Sequence, residues 1–275
     1  MTIPIYQVDA FTNKLFRGNP AAVCITPKPL SRDMMQNIAM EMNLSETAFV
    51  YPLEEEHTYM IRWFTPTTEV KLCGHATLSA AHILFEHDYV IGNMITFFNK
   101  DKSMKLITRK SPYGIALDFP IEELSAWETS EKQALVSYLG LPHNCPAFRG
   151  KVTGQILIEA PNETIVKNLE PNFSRMLSLD GEFSGVAVTS VSDDFDFISR
   201  FFDPWEGIDE DPVTGSAHTL LAPYWGKKLD LNLMRAKQIS RREGLLNLEL
   251  KGSRVLISGK AITFLSGSLP NIEVE

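Results

Sequence analysis

The sequence predicts an α+β fold made of two similar domains, and three observations carry that expectation. The chain has 275 residues, enough for about two domains at roughly 150 residues each. Strand-like and helix-like segments mix along it without the regular alternation that builds a doubly wound parallel sheet. An internal echo relates the two halves. Arg62-Trp63-Phe64-Thr65-Pro66 leads into Gly74-His75-Ala76-Thr77-Leu78, and Arg200-Phe201-Phe202-Asp203-Pro204 leads into Gly215-Ser216-Ala217-His218-Thr219-Leu220. Each copy is an Arg-aromatic-Phe-x-Pro run, a short insert and a Gly-x-Ala helix start. Two copies of one domain are expected, at 1–119 and 120–275, with the last few residues able to return to the first.

Along the first half, Ile3 to Val8 alternates apolar and polar residues, and a loop rich in turn formers (Thr12, Asn13, Gly18, Asn19, Pro20) separates it from the β-branched and apolar run Ala21 to Ile25. This reads as strand, loop, strand. Ser31 is a suitable N-cap for a helix carrying Met34, Met35, Ile38, Ala39 and Met42 at helical spacing and ending near Asn43. Thr47 to Tyr51 and Thr58 to Phe64 read as strands, and the Ala- and Leu-rich Gly74 to Phe85 as a second helix. Three short strand-like runs follow, to about Phe119, the first two joined by a polar turn at Asn99 to Lys102. Pro120 to Glu131 has the mixed Pro, acidic and Ser/Thr composition of a linker, and Thr129 or Ser130 can cap a helix running to Gly140. Strands are then expected near Gly154 to Ala160, Val186 to Val191 and Phe195 to Phe202, followed by a helix from about Gly215 to Trp225 and strands to the end.

Composition narrows the function classes. Lys plus Arg number 26 against 34 Asp plus Glu, a formal net charge of -8 and a sequence pI of about 5.4, so nucleic acid is not an expected partner. Hydrophobic residues make up 44% and charged residues 22%, which is the balance of a folded globular protein. The three cysteines, Cys24, Cys73 and Cys145, are widely spaced with no CxxC pair, which fits a reducing, cytoplasmic setting. No targeting segment or membrane span is read from the sequence.

Both echoes end at a glycine that opens a helix. Free N–H groups and the positive end of the helix dipole let such a turn hold a carboxylate without Lys or Arg. Two such turns facing each other would form one cleft for a small anionic substrate. His75 lies in the first turn of its helix, where the positive end is expected to disfavour the imidazolium and leave a neutral ring for proton transfer. Asp211, just before the second turn, can cap it or orient His75, while Asp209 and Glu210 read as solvated. Glu46 starts a strand straight after a helix; there it is either solvated or held in a pocket as a general base.

These residues carry a family resemblance. Gly18-Asn19-Pro20-Ala21-Ala22-Val23, Ser45-Glu46-Thr47-Ala48-Phe49-Val50, Arg62-Trp63-Phe64-Thr65-Pro66, Cys73-Gly74-His75-Ala76-Thr77-Leu78 and Glu210-Asp211-Pro212-Val213-Thr214-Gly215-Ser216-Ala217-His218 resemble, in order and over most of the chain, the signatures of the PhzF-like (phenazine-biosynthesis-like) isomerases. The resemblance implies a fold similar to diaminopimelate epimerase: two domains, each a curled, mostly antiparallel sheet around a central helix, with the active site between them. It also implies that Glu46, His75 and Asp211 are the catalytic acid/base residues, that Gly74, Gly215 and Ser216 bind substrate, that no metal or organic cofactor takes part, and that the chain forms a homodimer. The reaction expected is isomerisation of a small carboxylic acid by proton transfer.

The same residues admit three other readings. A two-base racemase would use Cys73, but it needs an opposing thiol, and the position before Gly215 is Thr214; Cys73 is then a small residue beside the turn. A non-catalytic metabolite- or protein-binding relative is compatible with the same residues. A metal enzyme would use His82 and Glu86, one turn apart, but with His75 and Ser79 they read instead as a polar, solvated helix face.

Overall fold

The structure is a computed structural model and describes residues 2–179 and 183–270. It divides into two units, Met1–Asp118 with Ile257–Glu275, and Phe119–Leu256.

The first unit is built from β1 (Ile3–Ala10), β2 (Asn19–Ile25), α1 (Arg32–Met42), β3 (Glu46–Pro52), β4 (Thr58–Phe64), β5 (Glu69–Val70), α2 (Gly74–Glu86), β6 (Met94–Phe98), β7 (Lys105–Ser111) and β8 (Gly114–Pro120), with the last strand of the chain, β18 (Ala261–Leu269), lying against β1. The strands run in the order β18-β1-β2-β3-β4-β6-β7-β8, antiparallel except for the parallel pairs β2–β3 and β4–β6. The short β5 pairs antiparallel with the end of β4. Helix α1 is capped as its sequence dictates: the Ser31 side chain accepts from the Met34 N–H, and Asn43 closes the helix in the left-handed region at φ 49°. It buries Met35, Ile38 and Ala39 against Ile3, Ile5, Phe49 and Phe64. Helix α2 packs against β1, β2, β3 and β18, and its apolar composition follows from burial on most sides. Trp63, on β4, is buried and anchors the helix by donating to Thr77 Oγ1 at 3.1 Å.

The second unit repeats the plan. It contains β9 (Leu124–Ala126), α3 (Ser130–Tyr138), β10 (Ala147–Gly150), β11 (Ile156–Glu159), α4 (Glu163–Lys167), α5 (Phe173–Met176), β12 (Val186–Val191), β13 (Phe197–Asp203), β14 (Ile208–Asp211), α6 (His218–Leu229), β15 (Leu233–Gln238) and β16 (Gly244–Lys251), with β17 (Arg254–Gly259) leading out of it. Its order is β9-β10-β11-β12-β13-β15-β16, parallel at β11–β12 and β13–β15 and antiparallel elsewhere. The short β14 lies on β13 as β5 lies on β4. Strand for strand, the directions match those of the first unit from β18 through β7. The echo in the sequence is therefore a repeat of topology. Helix α6 carries Pro223 in its interior. The helical bond that proline cannot donate is replaced, since the Thr219 carbonyl accepts from the Glu122 N–H at 3.0 Å.

Several expectations change. The stretch from 120 to 131 is no loose linker, because β9 lies within it and pairs with β10. Regular helix in α6 begins at His218; Gly215 to Ala217 form tighter turns, with His218 N–H on the Gly215 carbonyl and Thr219 N–H on that of Ser216. The face of His75, Ser79, His82 and Glu86 is not a solvated stripe. Ser79 is fully buried and donates to the His75 carbonyl at 2.9 Å, and His82 Nε2 lies 3.1 Å from Thr263 Oγ1 on β18. Among the described residues, no helix is long and apolar enough to cross a membrane.

The arginine of each echo has a structural reason. Arg62 forks onto Glu69 through Nε and Nη2 at 2.7 and 2.8 Å, and Arg200 forks onto Glu210 at the same two distances. Each guanidinium also stacks over the phenylalanine two residues on, 5.2 Å from the Phe64 ring and 5.0 Å from that of Phe202. Glu210 is thus a pinned partner, not a solvated charge. The copies differ at the remaining nitrogen: Arg200 Nη1 donates to the carbonyls of Leu169 at 2.8 Å and Val166 at 3.4 Å. Breaking a largely buried pair leaves one charge uncompensated, so Arg200→Ala is expected to cost about 3 kcal/mol, and Arg62→Ala about 1.5 kcal/mol less for want of the carbonyl bonds. Urea denaturation of the two variants checks the order; equal losses would show that the carbonyl bonds contribute nothing.

Asp203, at the end of β13, has a buried Oδ1 without a partner among the described residues. Burial, and then the charges of Glu206 and Asp211, raise its pKa to about 7. The folded state therefore holds this proton more tightly than the unfolded chain, and stability falls as pH rises from about 4 to about 7. Asp203→Asn removes that loss. Thermal melts should show the variant gaining up to about 4 kcal/mol over wild type at pH 8, with little or no gain at pH 4; a gain independent of pH contradicts the shift.

Candidate active site

Strands β2 and β3 are parallel neighbours, with Ala21 opposite Glu46, so Asn19 and Glu46 stand near the same end of the sheet. Helix α2, packed on both strands, begins there at Gly74. This places Glu46 Oε2 3.1 Å from His75 Nε2, with side chains only 13% and 6% exposed. The approach is misaligned for a hydrogen bond, and Glu46 Oε2 is buried without one. On the other side of the ring, Asn19 Nδ2 lies 3.1 Å from Nδ1, and Ser45 Oγ lies 3.3 Å from Asn19 Oδ1. The Asn19 amide can present its NH2 to a neutral ring or its carbonyl to a charged one.

Cys73 is the N-cap residue of α2 but makes no side-chain cap. Its sulfur lies 3.5 Å from His75 Nδ1. Burial, reinforced by the Glu46 charge, raises the thiol pKa to about 11, so it is protonated in neutral solution. Burial works against a charged His75, but the Cys73 sulfur, as an acceptor for the protonated ring, and the charge of the Glu46 carboxylate favour it, and the imidazole pKa lies well above its ordinary value. The neutral ring expected from the helix terminus is therefore corrected: a carboxylate in contact acts more strongly than a partial charge at the helix end. Glu46, Cys73 and His75 also place one donor atom each within 4.8 Å of one another, close enough to share a metal ion.

In the second unit, Asp211 ends β14 and accepts a short hydrogen bond from the Thr214 hydroxyl. Gln238 locks this turn, accepting from the Thr214 N–H at 2.9 Å and donating to the Asp211 carbonyl at 2.8 Å. Ser216 Oγ accepts from Gln155 Nε2 at 3.1 Å. His218 is fully buried, and burial lowers its pKa to about 4; it is neutral, with Nδ1 donating to the Thr214 carbonyl at 2.8 Å. In the first unit Thr77 Oγ1 makes the matching bond to the Cys73 carbonyl at 2.6 Å. In both copies, then, a side chain in the first turn fastens the carbonyl just before the glycine. Neither N-cap residue, Cys73 before α2 or Ala217 before α6, caps its helix with its side chain.

Of the residues picked from sequence, Glu46, Gly74 and His75 come together in the first unit, and Asp211, Gly215 and Ser216 lie together in the second. Sequence reasoning missed Asn19 as the support of His75, although an asparagine opening an otherwise apolar strand is a visible signal. It had no means of finding Gln238, 24 residues from the Thr214 it holds.

Comparison with known proteins bears on the family and the fold. The pattern of the family described as phenazine biosynthesis-like protein matches residues 8–267. An uncharacterized isomerase of Halalkalibacterium halodurans is 47% identical over 98% of this chain and 99% of its own. The crystal structure of a PhzF-family phenazine biosynthesis protein from Enterococcus faecalis superposes with a TM-score of 0.90 at 40% identity, over 98% of this chain and 99% of its own. A hydroxyproline epimerase from Agrobacterium vitis, at 10% identity, shares the fold with a TM-score of 0.59 over 99% of this chain and 93% of its own. With a family match across nearly its whole length and near-full-length relatives named as isomerases, the chain belongs to the phenazine biosynthesis-like family and is an enzyme of the isomerase type.

Proposed function

We propose that the protein is a cofactor-independent isomerase that moves a proton between two carbons of a small carboxylic acid. The observation that carries this reading is the buried Glu46–His75 pair beside the uncapped start of α2. Glu46, whose buried oxygen lacks a hydrogen bond, takes a proton from a substrate carbon and becomes a carboxylic acid. The electron pair left behind spreads into the unsaturated or carboxylate group of the substrate. N–H groups of the first turn at Gly74 bind the substrate carboxylate and stabilise the developing charge. His75, whose raised pKa favours the protonated ring, delivers a proton at the second carbon, and the proton held by Glu46 returns through the pair or to solvent. Asn19 keeps the ring oriented in both states. Asp211, Gly215 and Ser216 are assigned to the same reaction, Asp211 as the group that sets proton transfer by His75 and the other two as carboxylate binders. The small anionic substrate fits a protein of charge -8 because backbone amides, not a basic surface, would hold it.

A screen of small unsaturated and hydroxylated carboxylic acids for uptake of solvent deuterium tests this. Wild type should label at least one acid, and Glu46→Gln should lower its rate by 10²–10⁴-fold; full exchange by the variant means the base is another group. No exchange into any acid, together with saturable binding of one of them, would favour a non-catalytic binding protein.

The racemase reading keeps one specific observation in its favour, the contact of Cys73 with His75. The raised thiol pKa argues against a nucleophilic or basic sulfur at neutral pH. Cys73→Ala should therefore retain deuterium exchange within about threefold, and iodoacetamide should inactivate slowly below pH 9. Loss of exchange in Cys73→Ala on the scale of Glu46→Gln would make the thiol the second base.

A further inference from the structure

The two copies of the arginine fork differ in a way that marks a second site. In the second unit all three guanidinium nitrogens of Arg200 are used, two on Glu210 and the third on the carbonyls at the end of α4. In the first unit Arg62 makes the same fork, but Nη1 has no hydrogen-bond partner among the described residues. Arg62 is only 8% exposed, and it lines a groove of about 560 Å³ with Arg32, Glu69, Lys71, Lys100 and Asp101. The single helix α1 explains the difference. Where the second unit breaks the corresponding connection into α4 and α5 and plugs the arginine with main chain, α1 instead has Arg32 in its first turn, so no carbonyl end lies there.

The groove is basic on an acidic protein. Four cations and two carboxylates line it, and neither carboxylate is idle: Glu69 is held by Arg62, with Arg32 Nε at 3.7 Å, and Asp101 accepts from the Ser103 N–H and hydroxyl at 3.1 and 2.6 Å. The surplus of two positive charges matches a dianion. Its donors are the unpaired Nη1 of Arg62, the guanidinium of Arg32, which meets Glu69 only at 3.7 Å, and the ammonium groups of Lys71 and Lys100; donors from four separate side chains suit the several oxygens and double charge of a phosphate better than one planar carboxylate. We propose that this groove binds the phosphoryl group of a small phosphorylated metabolite, at a site separate from Glu46 and His75. The volume lies within the usual range for small-molecule sites, so the rest of a monoester has room beside the phosphate.

Calorimetric titration of the full chain with inorganic phosphate, phenyl phosphate and malonate tests the assignment. Saturable one-to-one binding of phenyl phosphate is expected, at least as tight as that of inorganic phosphate and tighter than that of malonate. Lys71→Glu with Lys100→Glu, both surface changes outside the proposed catalytic set, should weaken it by roughly tenfold or more while deuterium exchange into the substrate acid is kept. Absence of saturable binding, a preference for malonate, inorganic phosphate binding more tightly than its monoester, or a double variant that binds like wild type would each overturn the site. The last result would mean that the anion sits elsewhere, for example at a helix-start turn.

Discussion

A helix buried in the middle of a domain has nowhere to hide its ends. The first N–H groups of α2 have no partners within the helix, and the residue before it, Cys73, offers no cap. Helix α6 solves the same problem differently: the tighter turns from Gly215 to Ala217 take up the N–H groups of His218, Thr219 and Leu220 at 3.1, 2.9 and 3.2 Å. In an interior position the donors of α2 need a partner supplied from outside the element. The start of α2 is therefore the place in the first unit where the proposed substrate carboxylate would complete the hydrogen bonding of the helix. In both units the neighbouring side chains serve the helix start: Thr77 and His218 fasten the preceding carbonyls, and Gln238 locks the turn at Thr214. Glu46 and His75 stand beside the start of α2 as a buried pair 3.1 Å apart, the groups to which proton transfer is assigned in the proposed reaction.

The duplication explains why these features occur twice and why they are not equivalent. Strand order, the parallel pairs and the arginine fork repeat because they hold the sheet and its short flanking strand together. The polar residues at the helix start are free to diverge, since they do not hold the sheet together. His75 is matched by Ser216, and Thr77 by His218. A histidine is therefore present in both first turns, but it is paired with a carboxylate in one and held neutral by burial in the other.

Much of this was legible in the sequence. The caps of α1 were readable because Ser31 and Asn43 act on their own helix, and β4 and β12 were readable because their apolar runs are bounded by turn residues. The echo worked because each copy keeps Arg, Phe and Pro at fixed spacing for local packing. The misses share a cause: they depend on partners distant in sequence. The charge on His75 was misjudged because Glu46 is 29 residues away and reaches it only through the parallel pairing of β2 and β3. Glu210 looked solvated until Arg200 was found across β13 and β14, and β9 was invisible because three residues in a polar stretch become a strand only when β10 is beside them.

The pairing of β18 with β1, from Ile3 opposite Leu269 to Ala10 opposite Ala261, has a consequence for synthesis on the ribosome. The first unit lacks an edge of its sheet until β18 has emerged, whereas every residue of the second unit precedes that strand. Although its genes' worth of sequence comes later, the second unit can close first, and the first must wait with β1 exposed. The strand that completes the first unit is thus made after the whole of the second, and β1 meets β18 only then.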